Sequence, residues 1–204
     1  MSIFQTIAIA ASALIVLGAY IPYAIDIVRG RVLPARAARL MFVFLLVVTV
    51  LQQGQLHSGT LVAVTLGELM GSIAILSLAL KRGVGGLSGL DKACYTLLVI
   101  DVVLWSLTGN ALLALHLSVI ADFIAFTPTL VKTWRLPQTE TPLFFVAGAI
   151  GPMLNILGAG KYSYAVLLFP AYLVLINLIE VLLILLLDSF RQTKAGGDSD
   201  KITE

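Results

Sequence analysis

The sequence predicts an all-α integral membrane protein with seven transmembrane helices. They are arranged 3+1+3, as two parallel three-helix repeats joined by an inverting linker helix. Three observations lead there. The 204 residues are 59% hydrophobic and only 12% charged, with mean hydropathy +1.02, whereas a soluble domain is about a quarter charged. The apolar residues gather into seven runs, most of them near the length of about 20 residues that crosses about 30 Å of hydrocarbon as helix. These runs are too long, and alternate too little, to be barrel strands. Finally, twelve of the thirteen Lys and Arg residues fall on one side of the membrane that the runs would thread.

Taken in order, the first span is Ile3–Val28. No Lys or Arg precedes Arg29, so the N-terminus lacks the basic region of a signal peptide and is read as a retained span. Arg29, Arg31, Arg36 and Arg39 flank the first loop, and Arg39–Leu56 is the second span. The third, Thr60–Leu80, ends at Lys81 and Arg82 in the Gly-rich linker KRGVGGLSG. Lys92–Thr108 is the fourth, divided from the fifth, Ala111–Trp134, only by Gly109–Asn110. Lys132 and Arg135 flank the next loop, followed by the short span Leu143–Leu157 and then by Tyr164–Leu187. Beyond these lie Arg191, Lys194 and Lys201, and only Lys161 stands on the opposite side. The positive-inside rule then expects the N-terminus outside and the C-terminus in the cytoplasm. The expected units are residues 1–80 (first three helices), 81–110 (cytoplasmic linker and linker helix), 111–190 (second three helices) and 191–204, a polar tail expected to be disordered.

An internal repeat organises these spans. Tyr20 to Arg39 reads YIPYAIDIVRGRVLPARAAR, and Phe126 to Pro142 reads FTPTLVKTWRLPQTETP. Pro22 matches Pro128, Arg29 and Arg135 each follow seven residues later, and Pro34 and Pro142 open the next run. Pairing Arg82 with Arg191 sets Glu68 opposite Asn177. The fourth span inverts the chain, so that the second unit enters the membrane in the same direction as the first.

With this repeat and topology, the chain from Tyr20 to Leu187 resembles the SWEET and PQ-loop superfamily of seven-helix transporters. The segments PTLVKTWRLPQTET and LINLIEVLLIL carry the likeness, along with the two proline motifs. The Pro-Gln pair that names the PQ-loop proteins would fall at Pro22–Tyr23 and Pro128–Thr129, where the glutamine is absent. Of the SWEET asparagine pair only Asn177 is matched, and Glu68 stands in the other place. The resemblance therefore implies the fold and not a substrate. It implies transport of a small polar solute (a sugar, an amino acid or a relative) by alternating access. The alternative on the same fold is a membrane receptor or cargo-binding protein of the KDEL-receptor kind.

An ionisable side chain at mid-bilayer costs at least about 2.5 kcal/mol and so marks a functional position by default. Glu68, Asn155, Asn177 and Glu180 are the candidate substrate-binding residues. Gly67 and Gly71 flank Glu68 at the spacing that lets helices approach, and Glu180 follows Asn177 by three residues, on the same helix face. Asp122, six residues before Pro128, occupies the position of the proton-carrying aspartate in cystinosin-type PQ-loop transporters, and the resemblance gives it the proton-coupling role. Asp101 is expected to make a structural hydrogen bond, with His116 as one partner. Asp26 is expected to pair with Arg29 or neighbouring basic residues. Pro22, Pro128 and Pro152 each interrupt a helix ladder and are candidate hinges.

Other classes are excluded by what they require. No paired-His spacing, Gly-x-Ser-x-Gly elbow or phosphate loop is present, so neither an enzyme nor a resident cofactor or metal is expected. A retinal protein needs a lysine where the seventh span has Asn177 and Glu180. The arginines are topological, so nucleic acid is not an expected partner. The expected partners are a small polar solute and the lipid bilayer, with a homo-oligomer left open. Cys94 is a lone apolar-run cysteine with no disulfide or metal role.

Overall fold

The computed structural model describes residues 2–55, 59–84, 89–160 and 162–199. The linker centre, Lys161 and the side chains of Cys94, Asp101, Pro128 and residues 190–199 lie outside the described residues. Every described element is helical: α1 (Ile3–Val28), α2 (Arg36–Gln55), α3 (Gly59–Arg82), α4 (Gly89–Thr108), α5 (Ala111–Arg135), a 3-10 turn at Pro137–Thr139, α6 (Pro142–Gly158) and α7 (Tyr164–Ser199).

Local chemistry sets the ends. Ser2 and Gln5 form a reciprocal capping box at the start of α1, with bonds of 2.8 and 3.2 Å, which satisfies two orphan donors. Gly30 turns the chain after α1 at φ 72°. Two residues suffice to end α4 and start α5. Gly109 takes φ 59°, a conformation open to glycine at no steric cost, and the Asn110 side chain accepts from the N–H groups of Leu112 and Leu113 at 3.1 Å each. Pro142 opens α6 where its missing N–H has no ladder partner to lose. The tail departs from expectation. α7 runs on to Ser199; Arg191, Gln192, Lys194 and Ala195 are good helix formers that propagate an existing helix without a new nucleus, whereas nothing in the propensities of Gly196 and Gly197 accounts for its last turn.

Three helices are long and apolar enough to cross a membrane by length and composition: Ile3–Val28, Leu112–Arg135 and Tyr164–Ser189. The stretch Tyr95–Thr108 of α4, and α6, are apolar but shorter. Large apolar side chains face outward along the bundle, Leu14 and Met70 at 72% exposure among them. Such a surface is costly in water and ordinary in lipid, and it makes the chain an integral membrane protein.

Two sets of three helices pack together. α3 lies against α1 and α2, and α7 lies against α5 and α6. Two contacts join the sets, α1 with α6 and α2 with α5, and α4 packs on α5 and α2. Met41, Leu45, Leu98, Ala121 and Ala125 form the core where α2, α4 and α5 meet. Tyr23, Ile27, Val32 and Ile75 form a second core, closed by Phe144 of α6.

Polar bonds gather at one end, called here the basic end. Arg82 donates to the Val28 carbonyl at the C-terminus of α1. There it satisfies an orphan acceptor and meets the negative end of the helix dipole. The backbone N–H of Val84 donates to Pro34 at 3.0 Å, and that of Arg36 donates back to Val84 at 3.1 Å. Thr141 donates to Asp26 at 2.9 Å, and Asp26 also pairs with Arg31 at 3.5 Å. At the opposite end the Ser12 hydroxyl donates to the Gly151 carbonyl at 2.8 Å, joining α1 to α6. His116 uses both ring nitrogens, on the Leu112 carbonyl and the Tyr164 hydroxyl, at 2.7 Å each.

Candidate functional site

A cavity of about 100 Å³ lies between the two helix sets, room for several waters or a small solute. Six helices line it, and α4 contributes no lining residue among those described. Its lining runs from Pro34, Arg39, Lys132 and Glu140 at the basic end to Glu68, Asp122 and Asn177 in the middle of the bundle. The walls between are mostly apolar and aromatic, with Tyr20, Phe42, Phe126 and Phe144 among them. A mainly apolar cleft with a few convergent polar groups is the usual form of a small-molecule site.

Each polar group is held by its own helix. Asp122 sits mid-α5, only 1% exposed. The Tyr172 hydroxyl donates to its Oδ2 at 2.5 Å, while its buried Oδ1 has no protein partner. Glu68, on α3, makes no hydrogen bond to another described residue, and Gly67 and Gly71 beside it let α1 approach, with Leu17 and Tyr20 filling the space over them. Tyr20 is fixed in turn by a 2.9 Å bond between its hydroxyl and that of Ser72. On α7, the Asn177 amide donates to the Leu173 carbonyl at 2.8 Å. Its Oδ1 lies over Gly148, where a Cβ would come within 2.5 Å of it. Pro152 follows Gly148 by four residues and has no N–H to give to the Gly148 carbonyl. This stretch of α6 therefore presents bare backbone beside Asn177.

Glu68, Asp122 and Asn177 thus line one cavity. Asn155 does not line it. It lies on a smaller cavity of about 20 Å³ with Gln53 and Thr65, and Glu68, Pro152 and Leu173 border both. Its buried Oδ1 has no protein partner. Glu180 lines neither cavity. Three residues beyond Asn177 is about 4.5 Å further along the helix, and there the Thr133 hydroxyl donates to it in a fully buried position. Pro22 and Pro152 lie inside α1 and α6, and Pro170 inside α7 is a third interruption. Pro128 lies within α5, its side chain outside the described residues.

Two basic-end residues were missed as site residues from sequence because both stand at span ends, where topology accounts for them. Arg39 and Lys132 line the cavity. Lys132 is ion-paired with Glu140 and also donates to the Leu33 carbonyl at 3.4 Å. The spacing of Arg36 and Arg39, three residues apart on α2, was the available signal. A second arginine one turn into an apolar helix has to be accommodated inside the bundle.

No protein-family model matches the chain, and neither the curated proteins nor the solved structures searched give a match.

Proposed function

We propose that the chain is a transporter of a small polar solute that works by alternating access, on a 3+1+3 architecture of the SWEET and PQ-loop kind. The observation that carries the reading is the position of the polar cavity, between the two helix sets and away from α4. Exchanging α1, α2 and α3 for α5, α6 and α7 leaves the packing scheme unchanged. The pairs α1–α3, α2–α3 and α1–α6 become α5–α7, α6–α7 and α2–α5, all of which occur. The Pro22–Pro128 register also pairs Val16 with Asp122, Ala19 with Ala125 and Tyr20 with Phe126, and all six residues line the cavity. Such a site between parallel repeats is where rocking of one unit against the other exposes a solute to alternate sides. The cavity reaches the basic end, while α1 and α6 are pressed together at the other, where Ile9 packs over Gly158 and Val16 over Gly151. This fits one of the two states that alternating access requires. Pro22, Pro128 and Pro152 would serve as the hinges, and Asn155, on the smaller cavity away from the basic end, would enter the solute path in the other state.

The test is solute entry into liposomes holding the purified protein, using solutes first selected by their raising its unfolding temperature. Saturable entry, absent from empty liposomes, is expected. A solute that stabilises the protein but never crosses would replace this reading with that of a KDEL-receptor-like receptor. The orientation has its own test. A topology reporter fused after Ile202 is expected to read as cytoplasmic, as the twelve-to-one distribution of basic residues requires. A non-cytoplasmic reading would reverse the side to which the cavity opens.

A further inference from the structure

The guanidinium of Arg39 faces the cavity with most of its binding capacity unused. Its Nη2 donates to the Tyr23 hydroxyl at 2.5 Å. Its central carbon lies 5.1 Å from the Tyr23 ring centroid and 5.7 Å from that of Phe144. Those two rings are themselves stacked, 4.2 Å apart at 25°. Among the described residues no carboxylate forms an ion pair with Arg39. Glu140, the acid nearest the basic end of the cavity, is paired with Lys132, and Asp26 with Arg31. A guanidinium carries five N–H donors in a planar fork that matches a carboxylate. Here aromatic faces fix its orientation and a tyrosine hydroxyl takes one donor, which is how an anion-binding arginine is held ready.

The other end of the same cavity is the reverse. Asp122 Oδ1 is buried without a protein partner, and Glu68 makes no hydrogen bond to another described residue. Two carboxylates lining one cavity, with no lysine or arginine between them among the described residues, form a place for a cationic group from outside. Arg39 lies towards the basic end of the lining, and Glu68 and Asp122 lie in the middle of the bundle, so the basic and acidic parts of the lining are separate along the cavity. A solute carrying one charge, or none, would leave one end of the lining uncompensated as water is expelled.

We infer that the solute is a small zwitterion whose anionic group is taken by Arg39 and whose ammonium group is taken by Glu68 and Asp122. The inference rests on the transporter reading for its site and names the chemical class that site accepts. Discrimination should be strong, because a site built to pair a group rejects the analogue lacking it far more sharply than it rejects a change of size.

The test uses the full-length protein with four probes: dialanine, N-acetyl-dialanine (no ammonium), dialanine amide (no carboxylate) and glucose. Stabilisation and liposome entry are measured for each. Dialanine is expected to bind at least about tenfold more tightly than any of the other three, the scale of one charge-assisted hydrogen bond. Arg39→Gln should erase the preference for dialanine over its amide while keeping that over the N-acetyl form, and Glu68→Gln should do the opposite. A residue that only holds the fold together would lower both preferences alike. Should Arg39→Gln fail to fold, the wild-type ranking still decides. Glucose bound and carried as well as dialanine would overturn the zwitterion and leave the transporter. Dialanine bound but not carried would do the reverse. No binding of any dialanine form would overturn the inference outright.

Discussion

Gly151→Ala is expected to lower the unfolding temperature by several degrees, although it adds one methyl group. That methyl would fall well inside contact distance of Val16 Cγ2 on α1, with Ser12 Oγ 3.6 Å and Val16 Cβ 3.7 Å away. Valine in a helix has essentially one χ1 well, so Val16 cannot turn aside. The helices must part instead, stretching the 2.8 Å bond from Ser12 to the Gly151 carbonyl. Overpacking of this kind costs about 1–3 kcal/mol, on the order of 5 °C for a chain of this size. Gly158, one heptad on, repeats the arrangement with Ile9 Cγ1, which would lie 2.7 Å from an added Cβ. Close approach through small residues is how membrane helices gain packing when lipid removes the hydrophobic incentive. Two comparisons sharpen the test. Val16→Ala in the same chain should restore most of the loss, since the two sites share one contact. Gly18→Ala, with nothing within 4 Å of the added carbon, should be neutral or stabilising, because glycine inside a helix costs about 0.5–1 kcal/mol relative to alanine. Equal melting of Gly151→Ala and Gly18→Ala would mean that α1 and α6 do not pack this closely.

How legible was this in the chain? The helices were, because apolar runs of membrane-crossing length have few other interpretations. α1 occupies Ile3–Val28, as read from the sequence, and Gly109–Asn110, two residues with no apolar content, do separate α4 from α5. The end of α7 was not, since polar residues that propagate a helix look the same in sequence as a solvated tail. In the candidate site, Glu68, Asp122 and Asn177 stood out because a polar group in an apolar run has to be accommodated. Sequence spacing could not separate Asn177 from Glu180. They share a helix face, and only the placement of Thr133 on α5 gives Glu180 a partner away from the cavity. Arg39 shows the converse failure. A positive charge at a span end already has a sufficient explanation in topology, and only Tyr23 and Phe144, distant in sequence, reveal its second setting. Gly151 and Gly158 were silent for a similar reason. A glycine in a membrane helix declares nothing until its neighbour across the helix crossing is known.

Asp122→Asn should flatten the pH dependence of solute binding while leaving the helical fold and its melting nearly unchanged. Among the described residues, the charged and titratable groups that share the cavity with Asp122 are Tyr20 from α1, whose hydroxyl is bonded to Ser72, Glu68 from α3, Arg39 from α2, Lys132 further along α5 and Glu140 beyond α5, and Tyr172 of α7 bonds it directly. Of these, Lys132 and Glu140 neutralise each other, and Arg39 is held by Tyr23 towards the basic end. Asp122 and Glu68 are left as the pair that exchanges protons with an entering solute. An ionised carboxylate attracts an ammonium group. A protonated one does not, but it tolerates a closed, dry cavity without the desolvation cost of a charge. Binding of a cationic group is therefore expected to weaken as pH falls and the pair takes up protons, by about tenfold or more for loss of one charge-assisted hydrogen bond. The amide of the Asp122→Asn variant cannot ionise, so only Glu68 is left to take up a proton: the variant's affinity at neutral pH should fall towards the low-pH value of the wild type, and its response to pH should be correspondingly smaller. The fold should survive, because the amide carbonyl can still accept from the Tyr172 hydroxyl now 2.5 Å from Oδ2. Tyr172→Phe separates the two effects: it removes the hydroxyl and keeps the carboxylate, so the pH response should persist at a shifted midpoint. If Asp122→Asn keeps the full pH response, the exchange of protons belongs to Glu68 alone, and Asp122 with Tyr172 is a bond that holds α5 against α7.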